Sequence, residues 1–569
     1  MEEIKKRLLA GEVALFCGAG ISKNSGLPLA DELKRSILET LLQTKQDVKQ
    51  SMRVPYPFEA FLQSVFDPGL VSGMRLNSMK ILEIFRHGEP NSNHVFIARL
   101  AKSGFVKTVA TTNFDVLIEK ALKNEGLEEG IDFERYYTEE GFSAAESAEQ
   151  DERFTLFKLH GSIDHPETVR ATLNAVASQS LSKQRMRATR HLFSTGAHQA
   201  ILILGYSCSD TFDLMPQILS IDTNDKKVFF IEHTEGVALP TVYDLRARRK
   251  RNPFRHFPGR WVKCSTDDLI KNLWSTVEGS IGKYEFVRSS FDWRPDVSAW
   301  LGEVQKDLGA KYFTAGAILE NLQKSGSSHV QLFDKTRFYF ERALEYAEDK
   351  KNIGGMMTCN ARIGTVYWSW RDSGNRAIAQ HIERAIEHHQ KAFGFAQDLP
   401  AEISEYYAAG CCLMLGLDYE SIKEFDVAKD WLKESQKHYR RMPDAQKIDA
   451  NLIGTYVALG SLHLTERKPA EALGCFKKSF NLRKALDNES GIAPLCLNCG
   501  STYLRLRRFD RAISCYQMSE KIAEEKGDIY TLNAVYKGFS DVYQAADDTE
   551  SSQHYKQKLQ LLEARMRPF

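Results

Sequence analysis

The chain has almost no net charge. Its 76 Lys and Arg offset 75 Asp and Glu to leave a formal charge of +1, so there is no global field to hold nucleic acid or a membrane surface. No run approaches the roughly 18 apolar residues that a membrane helix needs. The opening "MEEIKKRLLAGE" also lacks the long apolar core of a signal peptide, and a cytoplasmic protein is expected. Prolines number only 16 in 569 residues, with 43% hydrophobic and 27% charged side chains, a balance that excludes long disorder. The ten cysteines are scattered, and the one CxxC, Cys496 to Cys499 in "LCLNCGSTY", falls in a helical pattern. Neither a disulfide framework nor a zinc ribbon is indicated, and no metal is expected. The densest basic run, "RARRKR" from Arg246 to Arg251, reads as a local nucleic-acid patch, as a solvated helix end or as a match for an acidic intramolecular partner.

What is present divides in two. Up to about residue 285, short β-rich runs alternate with helical segments: "VALFCG" (13–18), "VKTVATT" (106–112), "FTLFKLHG" (154–161), "AILILGYS" (200–207) and "KVFFIEH" (227–233). Continuous apolar strands ending in Gly, Ser, Thr or His suit a parallel sheet covered by helices on both faces, so residues 1–285 are expected to form an α/β, Rossmann-like domain. Residues 286–304, with their aromatics and a proline, read as a packed connector.

From residue 305 to 569 strand signals vanish and a helical repeat emerges. Aligning 415–435, 459–479 and 499–519 puts Gly416, Gly460 and Gly500 in one column, Ala428, Ala472 and Ala512 in a second, and Leu432, Phe476 and Tyr516 in a third. Gly538 continues the first column, at successive steps of 44, 40 and 38 residues. Degenerate copies lie upstream in 361–370 and 333–349. Two small residues where helices cross, and a large one a turn later, suit a stacked helical hairpin. The pattern resembles the tetratricopeptide repeat, with an irregular helical bundle as the alternative. Either way, such an array presents surface to partners.

In the first half, "GAGISKNSGLP" (18–28) follows an apolar strand. A strand running through Gly18-Ala19-Gly20 into a helix is a geometry in which backbone N–H groups meet a phosphate, although the spacing is not GxGxxG. "TTNFD" (111–115), "KLHGS" (158–162) and "LGYSCSD" (204–210) end other strands, at the sheet edge where open α/β folds bind ligands.

These four motifs, in this order, resemble those of the sirtuins: GAGIS with SGIP, T-x-N-x-D, LHG and a GTS-type turn. The resemblance covers about half the chain and implies NAD as substrate, with no metal. It places Gly18, Ala19, Gly20, Ile21, Ser22, Ser25, Gly26, Thr112, Gly205 and Ser207 at the dinucleotide. Asn113 and His160 become the groups that cleave the bond to nicotinamide, and Asp115 supports the loop or the ribose. Each residue also has a plainer reading: His160 as a buried strand-end histidine, Asn113 as a turn former, Asp115 as an N-cap, and Ser207 or Asp210 as the cap of the helix that follows.

The chain departs from the protein-deacylating sirtuins. Pro28 is followed by Leu29-Ala30-Asp31 where they carry Asp-Phe-Arg, the four-cysteine zinc module has no counterpart, and a polar-helical stretch (163–180) replaces their acyl-peptide segment. The sequence is similar to the sirtuin-like effectors of bacterial anti-phage systems, which are fused to sensing domains and deplete NAD when triggered. That resemblance implies an NAD glycohydrolase, autoinhibited and homo-oligomeric, whose repeats sense a phage or host protein. A non-catalytic nucleotide sensor, an ADP-ribosyltransferase and a deacylase stand as alternatives.

Overall fold

The computed structural model describes residues 1–53, 58–66, 79–144, 153–169, 183–208, 210, 214–222, 225–236, 239–248, 252–325, 330–370, 378–442, 450–485 and 491–566. Most of the stretch 163–180, and residues 249–251 of the basic run, lie outside them.

Eight strands form one sheet: β1 (Val13–Cys17), β2 (Thr108–Thr111), β3 (Phe133–Tyr136), β4 (Phe154–Lys158), β5 (Ala200–Leu204), β6 (Lys227–His233), β7 (Thr241–Asp244) and β8 (Gly259–Cys264). Their order is β3-β4-β2-β1-β5-β6-β8-β7, parallel throughout except for the antiparallel β7. Every side chain of β1, β4 and β5 is buried, as a sheet covered on both faces requires. Each aliphatic so buried contributes about 1.5–3 kcal/mol relative to exposure. One face packs Leu15, Leu202 and Phe229 against Phe96 and Trp274. The other packs Phe16, Ile203 and Phe230 against Phe193 and Phe254. The five strands expected from apolar runs are all present, and β3, β7 and β8 are additional.

The chain leaves β1 for β2 on one side, while β5 lies on the other. This reversal opens a crevice at the carboxyl ends of the strands. Cys17 pairs with both Thr111 and Leu204, and Thr111 pairs with Lys158. Four strands thus end level, and each sequence motif crosses or begins at that line.

From Arg294 to Met566 the described elements are all helices. Pairs such as Ala401–Ser421 with Phe425–Arg441, and Pro469–Ala485 with Ala450–Thr465, form hairpins. The repeat columns have a direct physical basis. A Cβ on Gly416 would lie 2.7 Å from the Leu432 side chain, while one on Gly460 or Gly500 would run into the Phe476 or Tyr516 ring. Ala428, Ala472 and Ala512 are fully buried. The copy at 333–349 obeys the same rule with the helix before it, since a Cβ on Gly316 would lie 2.8 Å from the Phe340 ring. The turns of successive hairpins share a left-handed residue: Lys423, Arg467, Arg507 and Asp547.

Both ends of the array are fastened to the α/β half. Ile318, Leu319 and Tyr339 share a core with Leu38, Phe61, Trp300 and Phe114. At the far end Leu219 joins the core of the last repeats, Arg565 reaches Asp222 at 2.8 Å, and Arg190 reaches the Glu524 carbonyl at 3.3 Å.

Gly460→Ala should therefore lower the thermal midpoint by an overpacking penalty of about 1–3 kcal/mol. Gly474→Ala, whose Cβ would meet nothing within 4 Å, should raise it through helix propensity by about 1 kcal/mol. Differential scanning fluorimetry of the two variants checks both signs.

Candidate functional site

The turn after β1 is a 3-10 helix, Ala19–Ser25. Its glycines serve a backbone crossing. The Gly18 amide donates to the Leu204 carbonyl and the Gly20 amide to the Gly205 carbonyl, both at 2.9 Å. A Cβ on Gly18 or Gly20 would fall 2.7 Å from the backbone of Tyr206 or Gly205. Gly205 itself, at φ +66°, lies against Gly20 and Ile21. The three glycines let the turn after β1 lie directly on the turn after β5. The amides of Gly18 and Gly20 are thus engaged within the protein, where the sequence pattern suggested bare N–H groups. Around the crossing Ala19 and Ser207 are exposed, and Thr112, whose amide donates to the Cys17 carbonyl at 3.1 Å, is half-buried.

Ser25 and Gly26 close the turn. Gly26 is left-handed at φ +80° and so close to the Phe291 carbonyl that only glycine fits. The extended segment 285–291 straps this turn: Ser289 donates to the Asn24 carbonyl at 3.1 Å, and Ser92 and Val287 bond each other. Ser25 is fully buried beneath it.

Ser22 is the centre of a buried polar cluster. Its hydroxyl donates to Asp115 Oδ2 at 2.9 Å, accepts from Asn113 Nδ2 at 3.0 Å and lies 3.2 Å from His94 Nε2. Asn113 Oδ1 is buried with no hydrogen-bond partner among the described residues. Asp115 also accepts from the Leu117 amide at 3.1 Å, so one carboxylate bonds both the glycine turn and the start of the helix Leu117–Asn124. Burial raises the Asp115 carboxyl above its usual value, against the lowering effect of Lys158, the Leu117 amide, Ser22 and Asn113. Burial also pushes the His94 imidazole down to about 3, with Glu119 pulling the other way.

His94 belongs to "NSNH" (91–94), which the sequence reading passed over. Asn91 caps the helix Ser92–Lys102, and the side-chain Nδ2 groups of Asn91 and Asn93 both donate to the Ile21 carbonyl, at 2.7 and 3.1 Å. This helix start grips the glycine turn. Its signal was legible as an N-cap; its target was not.

Beneath the cluster, Lys158 is fully buried. Its ammonium donates to the Asp115 carbonyl and, at 2.7 Å, to Glu119, which Arg135 reaches at 3.3 Å. Arg135 continues to Asp164 at 2.8 Å. For Asp164 burial works upward, yet the Ser162 hydroxyl and Arg135 hold its carboxyl at about 2.

The pairing of Thr111 with Lys158 sets Asn113 and His160 at equal distances past the ends of their strands. His160 is 3% exposed, and its Nε2 lies 3.2 Å from Asp210 Oδ2. Asp210 also accepts from the Leu214 amide at 3.3 Å, so it both caps the helix Leu214–Ser220 and holds the histidine. A Cβ on Gly527, in the array, would lie 2.8 Å from Gln217 Cα of that helix. The helix Leu214–Ser220 thus lies against the docked array at Gln217 and bonds Asp210 through the Leu214 amide. Among the described residues no group of three His, Cys, Asp or Glu is placed to hold a metal, and no helix is long and apolar enough to cross a membrane.

The unfolded chain protonates His94 near its ordinary value of 6.5, the folded chain only at about 3. Stability from this site is complete above pH 6.5 and falls as the pH drops toward 3, by up to about 1.4 kcal/mol per unit. His94→Gln has no such proton. Urea unfolding at pH 7 and pH 4.5 should show the wild type losing roughly 2–3 kcal/mol more than the variant.

Residues 107–238 match the model of the SIR2-like domain. Two curated proteins called NAD(+) hydrolase ThsA are similar. One, from Acinetobacter baumannii, is 28% identical over 170 residues, 29% of this chain and 31% of that protein. The other, from Bacillus cereus, is 25% identical over 166 residues, with the same shares. The chain therefore spans about a third of the length of the curated relatives it matches. Among solved structures, a STAND signal transduction ATPase with a tetratricopeptide repeat sensor from Pyrococcus horikoshii aligns over 100% of this chain and 84% of its own, at 12% identity and a TM-score of 0.30. The level motifs, the parallel sheet and the family match agree that the N-terminal half contains a SIR2-like domain, which an all-helical repeat array follows.

Proposed function

We propose that the SIR2-like half is an NAD+ glycohydrolase and that the array keeps it inactive until a cue is bound. The observation that carries the reading is Asn113 Oδ1, a buried acceptor without a partner among the described residues, beside a histidine held by a carboxylate at a strand-end crevice. A pure binding module has no need of that histidine–carboxylate pair.

In the reaction, the bond from the ribose anomeric carbon to the nicotinamide nitrogen breaks, and its electron pair neutralises the pyridinium. Water supplies the new C–O bond. Asn113 orients the water or a ribose hydroxyl, and His160, held by Asp210, takes up the proton that water loses. Asp115 holds the loop through Ser22 and the Leu117 amide. The products are nicotinamide, ADP-ribose and a proton. Ala19, Thr112, Gly205 and Ser207 border the dinucleotide, with Gly18, Gly20, Ile21, Ser22, Ser25 and Gly26 forming the turn beneath it. The names of the ThsA relatives, NAD(+) hydrolase, support this substrate.

Unchecked hydrolysis would exhaust the cell's NAD. We therefore assign the array the role of a sensor for a phage or host protein in anti-phage defence, with a homo-oligomer as the working assembly and NAD depletion, leading to abortive infection, as the output. The double docking of the array supports a resting state imposed by contact.

Purified protein, alone and in lysate from infected cells, should release nicotinamide from NAD+. Asn113→Ala and His160→Ala should each lower the rate by at least ~10²-fold; NAD+ that binds and survives under all conditions would overturn the reading. Gly527→Val, which forces a side chain into Gln217, should raise basal turnover at least ~5-fold if docking restrains the site. Unchanged basal turnover would refute that restraint.

A further inference from the structure

With Asp115 ionised, the hydrogen bonds around Ser22 admit one order of protons, which identifies two positioning residues for the reaction. The Asn91 amide donates to His94 Nδ1 at 3.2 Å, so Nδ1 carries a lone pair. A neutral imidazole then bears its hydrogen on Nε2, and that hydrogen is directed at Ser22 Oγ, 3.2 Å away. Ser22 has one proton and two lone pairs. With one lone pair taken by His94, its proton goes to the Asp115 carboxylate at 2.9 Å, and the remaining lone pair accepts from Asn113 at 3.0 Å.

Asn113 must therefore present its nitrogen to Ser22. The flipped amide would turn an oxygen toward a hydroxyl whose only proton is already given to Asp115. The loop is held from both sides: Lys158 bonds the Asp115 backbone carbonyl and the Glu119 carboxylate from below, and the Asn91–His94 capping pair closes the top.

We propose that His94 and Ser22 are positioning residues which commit the Asn113 amide nitrogen inward, leaving Oδ1 to accept a hydrogen bond from an O–H group of the reactants. The donor is either a ribose hydroxyl or the attacking water. This rests on the NAD-cleaving reading of the site, and its own evidence is a proton order that can be measured without turnover.

The test has two arms. In the full-length protein with 15N-labelled histidine, His94, assigned by its loss in His94→Gln, should show the neutral Nε2–H tautomer from pH 5 to 8, whether or not NAD+ turns over. An Nδ1–H tautomer, or a protonated ring, would overturn the proposal. In the kinetic arm, Gln at position 94 can still offer an N–H to Ser22, whereas Asn reaches only the Asn91 amide.

His94→Asn and Ser22→Ala should lower kcat by on the order of 10²-fold, and His94→Gln should recover most of it, at matched thermal midpoints. Equal losses in His94→Gln and His94→Asn would reduce His94 to a packing role and sink the idea. ADP-ribose affinity, measured by calorimetry, separates the donors: weakened in His94→Asn for a ribose hydroxyl, unchanged for water. A wild type that never cleaves NAD+ would defeat the functional reading, and the tautomer alone would then decide the proton order.

Discussion

The contact on which the site depends is that of Gly18 and Gly20 with Gly205, backbone on backbone. Two strand ends that lie side by side in a parallel sheet normally send their turns apart, because side chains hold them away. Here no side chain intervenes, so the amides of one turn bond the carbonyls at the end of the other strand. That contact presses the start of the 3-10 helix inward and brings Ser22 within reach of Asn113 and Asp115 from the neighbouring strand. The motifs are thus one object: the glycines place the serine, and the serine orders the loop after β2.

Such a cluster is stable only because its charges are answered. A carboxylate, an ammonium and a guanidinium are all buried beneath it, and a buried charge left alone would be far more costly than the pair. The chain from Lys158 through Glu119 and Arg135 to Asp164 ends at the exposed Asp164, where solvent can share the load. Hydrophobic residues of the same volume could fill the space, but they could not hold the Phe114 and Asp115 carbonyls in place. The ionic chain is better understood as fixing the loop's conformation than as a source of stability.

Much of this was legible from residues alone. Five strands announced themselves as apolar runs, and the repeat columns named the glycines and large residues that touch. β8 alternates and is partly exposed, and β7 is exposed throughout, so neither has an apolar run to find. "FERY" at β3 carries two charges in four residues. The site was half legible. Asn113, His160 and Ser22 stood in recognisable motifs, but "NSNH" drew no reading, and Lys158 entered only as the first letter of "KLHGS". Their roles come from a helix and a strand about 40 to 70 residues away in sequence from the groups they touch, a distance at which pattern carries no partner. The glycines were identified for the right place with a different reason, since a strand-to-helix turn looks the same whether its amides face a ligand or a neighbouring turn.

The double fastening of the array has a consequence for how this chain can evolve. Open solenoids gain and lose repeats freely, since each unit touches only its neighbours. In this molecule the first hairpin sits against Leu38 and Phe61 and the last against Leu219 and Asp222, so the helices form a closed loop on the α/β half. The number of units is then set by the span they must bridge. Adding or deleting one would leave an anchor unmet, and variation should concentrate in the side chains of the repeats rather than in their number.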